Sequence, residues 1–93
     1  MKRTARRTVL IVNDLGVHLR AAGALVQLAG RFRSEVWLER HGPGLRVNGK
    51  SIMSVLSLAA CKGVELDVTA EGEDAEEALA AICGLIERGF SSA

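Results

Sequence analysis

Residues 34–48 read "SEVWLERHGPGLRVN". In 34–40, polar and apolar residues alternate. Val36 and Leu38 fall on one face, and Glu35, Trp37 and Glu39 on the other, the period of a half-buried strand. "HGPG" at 41–44 is a turn, and "LRVN" at 45–48 alternates again with Leu45 and Val47 inward. The segment is therefore a β-hairpin, and its place in the chain organises everything on either side of it.

Upstream, Ala21, Leu25, Leu28, Ala29 and Phe32 repeat with the 3.6-residue period of an amphipathic helix. Before that helix stands "TVLIV" (8–12), a continuous run that reads as a strand buried on both faces or nearly so. Downstream, Ile52, Val55, Leu56 and Ala59 form a second helical stripe, which Gly63 is placed to end. "VELDVTA" (64–70) is a fourth strand, with Val64, Leu66 and Val68 on one face. Ala75, Ala78, Leu79, Ile82, Leu85 and Ile86 form a third helical stripe. Asp74 is its expected N-cap, Glu77 completes a capping box, and Gly89 stops it. The order is β-α-β-β-α-β-α. Two strand–helix–strand crossovers joined by a hairpin give a two-layer α+β sandwich of the split βαβ type, with the helices on the packed side of the sheet.

Composition sets the bounds. Ninety-three residues make one domain, 1–93. The basic start "MKRTARR" (1–7) reads as a flexible tail. Its apolar continuation is too short for a signal peptide and no stretch approaches a membrane span, so a cytoplasmic protein is expected. A net charge of +1 and 3% aromatic residues argue against a nucleic-acid or membrane surface. Cys61 and Cys83 have no metal-ligand spacing and both read as buried apolar residues. No metal or cofactor is expected.

Chemistry concentrates at "GVHLR" (16–20), the junction of the first strand and first helix. Amides of a first helical turn lack intrahelical partners, and the helix dipole adds partial positive charge there. That makes an anion site beside His18. The positive helix end disfavours imidazolium, which predicts a neutral, nucleophilic ring. Arg20 adds a planar, permanently charged fork suited to phosphate. A second helix start lies at Lys50-Ser51-Ile52-Met53, with Ser51 as N-cap. Met53 falls off the inward stripe and is expected in solvent, as on adaptable partner surfaces.

Two stretches, "LGVHLRAAGALVQLAGRF" and "VNGKSIMSVLSLAACKGVELDVTAEGEDAEEALAAICGLIERGF", together resemble HPr, the histidine-containing phosphocarrier family of the bacterial phosphotransferase system. The likeness runs over roughly residues 8 to 90, with all elements in matching order. Gly16, His18, Arg20 and Ala22 match the family's Gly-Leu-His-Ala-Arg-Pro-Ala motif. Lys50, Ser51, Ile52 and Met53 match its Lys-Ser-Ile-Met motif letter for letter. The resemblance implies an open-faced sandwich, a four-stranded antiparallel sheet with three helices on one face. It implies a monomeric carrier rather than a turnover enzyme. On that resemblance His18 is expected to accept a phosphoryl group at Nδ1 from enzyme I, which takes it from phosphoenolpyruvate, and to hand it to an A-type component of enzyme II in sugar transport. Arg20 is expected to steady the group. Leu19, Ile52 and Met53 are expected to form an apolar docking patch near His18. Ser51 is the matching regulatory serine, which implies a serine kinase and phosphatase and a regulator as further partners. The alternative is a regulatory module controlled at Ser51, with carriage secondary. Leu19 stands where the family usually has Ala or Thr, adding bulk beside the nucleophile. Ala21 stands where it usually has Pro, and adds one N–H donor near the phosphate.

Overall fold

The computed structural model describes residues 3–42 and 44–91. The elements run β1 (Thr4–Leu10), α1 (Leu19–Ala29), β2 (Glu35–Arg40), β3 (Val47–Asn48), α2 (Ile52–Ser57), β4 (Glu65–Glu71) and α3 (Ala75–Glu87). The four strands form one antiparallel sheet in the order β1-β4-β2-β3. The expected β-α-β-β-α-β-α sandwich is therefore present. The last strand lies between the first two, so both of its edges are paired: Val68 faces Arg7 on β1 and Leu38 on β2.

The helices cover one face of that sheet. Val9, Val36, Leu38, Leu66 and Val68 point into the layer and meet Ala22, Leu25, Val55, Ile82 and Ile86 from the three helices. All are buried, a continuous core for a chain of this size. Ala70, Ala75 and Ala78 form a smaller cluster at the other end, joined by Phe32 and Ala5. No helix of the described residues is long and apolar enough to cross a membrane.

β1 differs from expectation at both ends. Residues 4–7 are strand rather than tail, because β4 offers a seven-residue edge and Thr4–Arg7 pair along it with Val68–Glu71. The run 8–12 is not buried on both sides. Val9 and Ile11 are buried, whereas Thr8, Leu10 and Val12 face outward. The outward face of the sheet is uncovered, so only alternate residues find a core.

Three further expectations give way to local geometry. Leu45 is 85% exposed rather than inward. The β2–β3 ladder holds only Trp37↔Asn48 and Leu38↔Val47, so no sheet imposes alternation on Leu45. The expected turn at 41–44 includes Pro43, which lies outside the described residues. Gly63 does not end α2. The helix stops at Ser57, and Ala59 takes the left-handed conformation at φ 49°. Leu58 and Ala60 are thereby buried on either side of an exposed Ala59. Cys61 is exposed, and only Cys83 is buried. Burial pushes the Cys83 thiol up to about 11, against the pull of Arg7.

Asp74 sits at the N-cap position of α3 but makes no side-chain cap bond, so the capping box with Glu77 does not form. Its carboxylate instead accepts bonds from Ser34 Oγ at 2.5 Å, Ser34 N–H at 2.8 Å and Arg33 N–H at 2.9 Å. It ties the entry of β2 to the start of α3, where Gly72 approaches so closely that a Cβ would lie 2.7 Å from the Ser34 Cα. The open sheet face holds a second staple. Asp67 is only 3% exposed there and accepts from Thr8 Oγ1, Arg6 and His41 Nδ1 at 2.5, 3.0 and 3.0 Å. Burial opposes its ionisation, but the Thr8, His41 and Arg6 donors outweigh that and hold the carboxyl below its usual range.

The Ser34 hydroxyl and Arg33 amide hold Asp74 at about 2, against an ordinary 3.8. A depressed carboxyl stabilises the fold fully above its unfolded value, and that stability is lost as pH falls through the folded value. The melting temperature should fall between about pH 5 and pH 2. Asp74→Asn should melt lower at pH 7 and show a flatter profile across that acid range. Parallel profiles for the two proteins would refute the staple.

Candidate functional site

The loop between β1 and α1 is fixed by short bonds to the loop between α2 and β4. Gly16 takes φ +62°, and a Cβ there would lie 2.5 Å from the Ala60 carbonyl oxygen. The next residue, Val17, is buried and its N–H donates to Ala60 C=O at 2.9 Å. Asn13 closes the loop from inside, its Nδ2 donating to Gly16 C=O at 2.8 Å. Outside, Asp14 and Lys62 form an exposed pair at 2.9 Å. Each holds the other in its charged form through that hydrogen bond, lowering Asp14 and raising Lys62. The Ala60 and Asp14–Lys62 contacts were missed by sequence reasoning. Gly16 ahead of an apolar residue was their only local signal.

This anchoring delivers His18 as the N-cap of α1. Its backbone is extended, at φ −83° and ψ 179°, and its carbonyl accepts the first intrahelical bond, from Ala22 N–H at 2.8 Å. The half-buried ring turns back over the helix start, where Nδ1 accepts the Ala21 N–H at 3.4 Å. A nitrogen that accepts carries a lone pair, so the proton of the neutral ring belongs on Nε2. The amides of Leu19 and Arg20 precede the first helical bond and have no acceptor among the described residues, at the positive end of the dipole. Arg20 is exposed, and its guanidinium has no partner among the described residues. The arrangement combines a nucleophilic nitrogen with donors for the anion that its reaction would bring.

Residues 5–88 match the family model described as the PTS HPr component phosphorylation site. The chain belongs to the HPr family. It is 41% identical to a phosphocarrier protein HPr of Neisseria meningitidis, over 91% of this chain and 93% of that one. It is 46% identical to one from Pseudomonas aeruginosa, over 88% and 90%. Among solved structures, an HPr from Thermoanaerobacter tengcongensis superposes with a TM-score of 0.86 at 41% identity, covering 92% of this chain and 94% of that one.

In this HPr-family chain Ser51 is the N-cap of α2, as expected, its Oγ accepting from Ser54 N–H at 3.4 Å. Lys50 is drawn away from it, donating through Nζ to Phe32 C=O at 2.8 Å. α1 and α2 pack together. At their contact Ile52 Cδ1 lies 3.8 Å from where a Gly23 Cβ would be. Gly23 is one helical turn beyond Leu19, so Leu19 and Ile52 share a face of the helix pair. Leu19 is 67% exposed and Met53 is 73% exposed. Leu19 and Ile52 thus lie on the same side of the α1–α2 pair, and Met53 follows Ile52 into solvent. The second histidine, His41, is elsewhere, on the open sheet face with Nδ1 3.0 and 3.1 Å from the Asp67 oxygens.

The seating of Gly16 is testable against Gly63. Both have positive φ, but a Cβ at Gly63 meets nothing within 4 Å. Gly63→Ala carries dihedral strain alone, whereas Gly16→Ala adds a clash with backbone. In urea denaturation Gly16→Ala should lose more than about 1 kcal/mol, and more than Gly63→Ala does. Equal losses would mean that the Ala60 approach does not constrain the loop.

Proposed function

We propose that His18 Nδ1 is the atom through which this phosphocarrier carries its phosphoryl group, with Arg20 steadying the group in transit. The observation that carries this reading is the Nδ1 lone pair turned to the start of α1, beside the Leu19 and Arg20 amides, which have no partner among the described residues. The Nδ1 lone pair attacks phosphorus as the phosphorus–donor bond breaks, and that electron pair leaves with the donor. The helix amides and the Arg20 fork meet the phosphoryl oxygens. Transfer to the acceptor is the same displacement in reverse, and the neutral ring is restored. His41 is a poor alternative, because its Nδ1 faces the Asp67 carboxylate and a phosphoryl group there would meet negative charge.

The family's partners are enzyme I as donor and enzyme II components as acceptors. We assign the acceptor to the A-type components and the active form to a cytoplasmic monomer. Leu19, Ile52 and Met53 form the surface that a partner covers while its reactive group reaches His18. Ser51 belongs to the same surface as a regulatory site for a serine kinase and phosphatase, read by a regulator. Its place at a helix N-terminus lets it take a phosphate without unfolding, since the dipole and free amides favour negative charge.

Incubation with enzyme I and radiolabelled phosphoenolpyruvate should give an acid-labile label, as expected of a phosphoramidate. His18→Ala should remove it while the circular dichroism spectrum stays that of the folded protein. Loss of label in His41→Ala instead would assign the wrong histidine here.

The docking reading is tested separately. Ser51→Asp places charge on the surface that a partner must cover, and Met53→Glu does so without creating a phosphate mimic at the serine. Both should raise the KM of enzyme I for this protein by tenfold or more, about 1.4 kcal/mol of lost binding, with kcat little changed. Wild-type KM in both variants would exclude a shared surface.

A further inference from the structure

The Ala21 amide is the third in α1 and comes before any N–H that the helix itself can satisfy. It is an orphan donor, and the structure aims it at the reacting atom of His18 rather than at water. At 3.4 Å the bond is long, enough to favour one ring orientation and one tautomer without closing the lone pair to attack. When Nδ1 bonds to phosphorus, that lone pair is consumed and Ala21 N–H loses its acceptor. The nearest new acceptors are the anionic oxygens on the same nitrogen. Ala21 therefore has two successive acceptors on one side chain.

We propose that the Ala21 N–H is a positioning donor with two settings. Before transfer it holds the His18 ring with the lone pair on Nδ1 and the proton on Nε2. After transfer it donates to a phosphoryl oxygen and stabilises the phosphorylated protein. The second setting rests on the reading of His18 as the carrier, and the first does not. In the step itself the Nδ1–P bond forms, the donor's bond to phosphorus breaks with its electrons leaving on the donor, and the amide proton stays on Ala21 throughout. Only its acceptor changes. The side chain of Ala21 takes no part, being buried in the core. The group that matters is one that proline at this position lacks.

Two variants separate the amide from the side chain. Ala21→Pro deletes the N–H and keeps the helical φ, whereas Ala21→Gly keeps the N–H and deletes the methyl. Nitrogen-15 spectra of the unphosphorylated proteins report the tautomer of His18. Wild type and Ala21→Gly should show the Nε2–H form almost alone, and Ala21→Pro should show a measurably larger share of the Nδ1–H form. Equal spectra in all three would overturn the first setting. For the second, each protein is phosphorylated with enzyme I and phosphoenolpyruvate. The Ala21 amide proton of the wild type should shift downfield on phosphorylation. The phosphorylated Ala21→Pro protein should lose its group to water about fivefold faster, as for one missing hydrogen bond. An unmoved amide proton or an unchanged half-life would overturn the second setting. A label that survives His18→Ala would overturn the carrier reading and this second setting with it, while the tautomer spectra still decide the first.

Discussion

Everything in this fold depends on β4 being hydrogen-bonded along both edges. It is the last strand made and it fills the middle of the sheet, between β1 and β2. Until it arrives, β1 and β2 have no ladder between them, and the crossover through α1 spans a gap. Once in place, its inward residues Leu66 and Val68 complete the core beneath the helices. Its outward Asp67 gathers Arg6, Thr8 and His41 from the strand on one side and the turn that follows the other. One strand thus joins the apolar layer and the polar face. A two-strand hairpin alone is marginal in water, and β3 contributes only two residues to its hairpin here. Cooperativity must therefore come from β4.

The site inherits its rigidity from the same strand. The loop leading into β4 presents the Ala60 carbonyl to Val17, and Gly63 N–H reaches Ile11 C=O at 2.9 Å. The chain before α1 is thereby clamped to the chain before β4. Val17 is buried as the hydrophobic plug of this clamp, and His18, one residue on, has little choice of direction. This explains why α2 ends after six residues instead of running to Gly63. A longer α2 would fold Ala60 C=O into its own ladder and leave Val17 N–H without a partner in a buried place, at a cost of about 1–3 kcal/mol. The strained Ala59 is the cheaper solution.

Much of this was legible in the sequence, and for identifiable reasons. Strict alternation at Val36 and Leu38, and the helical stripe of Ala75, Ala78, Ile82, Leu85 and Ile86, record burial against a single layer, so pattern and structure agree. His18, Ser51, Leu19 and Met53 were placed at helix starts or in solvent, where the structure has them, because caps and exposed apolar residues are local features. What was missed is long-range. Nothing near Arg6 reveals that a buried Asp67 awaits it sixty-one residues on. A basic run with no visible partner then reads as a tail. Asp74 has the sequence of an N-cap, but the Ser34 and Arg33 donors compete for its carboxylate from forty residues away. Leu45 alternates correctly on paper and fails because the strand it would belong to ends too soon.

The two histidines differ in their surroundings, and that difference is what favours His18 over His41 as the proposed carrier. His41 Nδ1 is held against the Asp67 carboxylate, which Arg6 and Thr8 also bond, so its ring closes a satisfied network. Removing it would cost stability, and modifying it would bring an anion against an anion. His18 Nδ1 has a single long bond from a backbone amide, and the Leu19 and Arg20 amides beside it have no acceptor among the described residues. That imbalance is uncomfortable for a resting protein and suited to one that must receive negative charge. It is also shallow: the ring is half-buried and Arg20 lies in solvent. A deep, fully preformed cradle would bind the phosphoryl group too firmly to release it. On the proposed reading, a few donors at the end of one helix would hold it loosely enough for the next protein to take it.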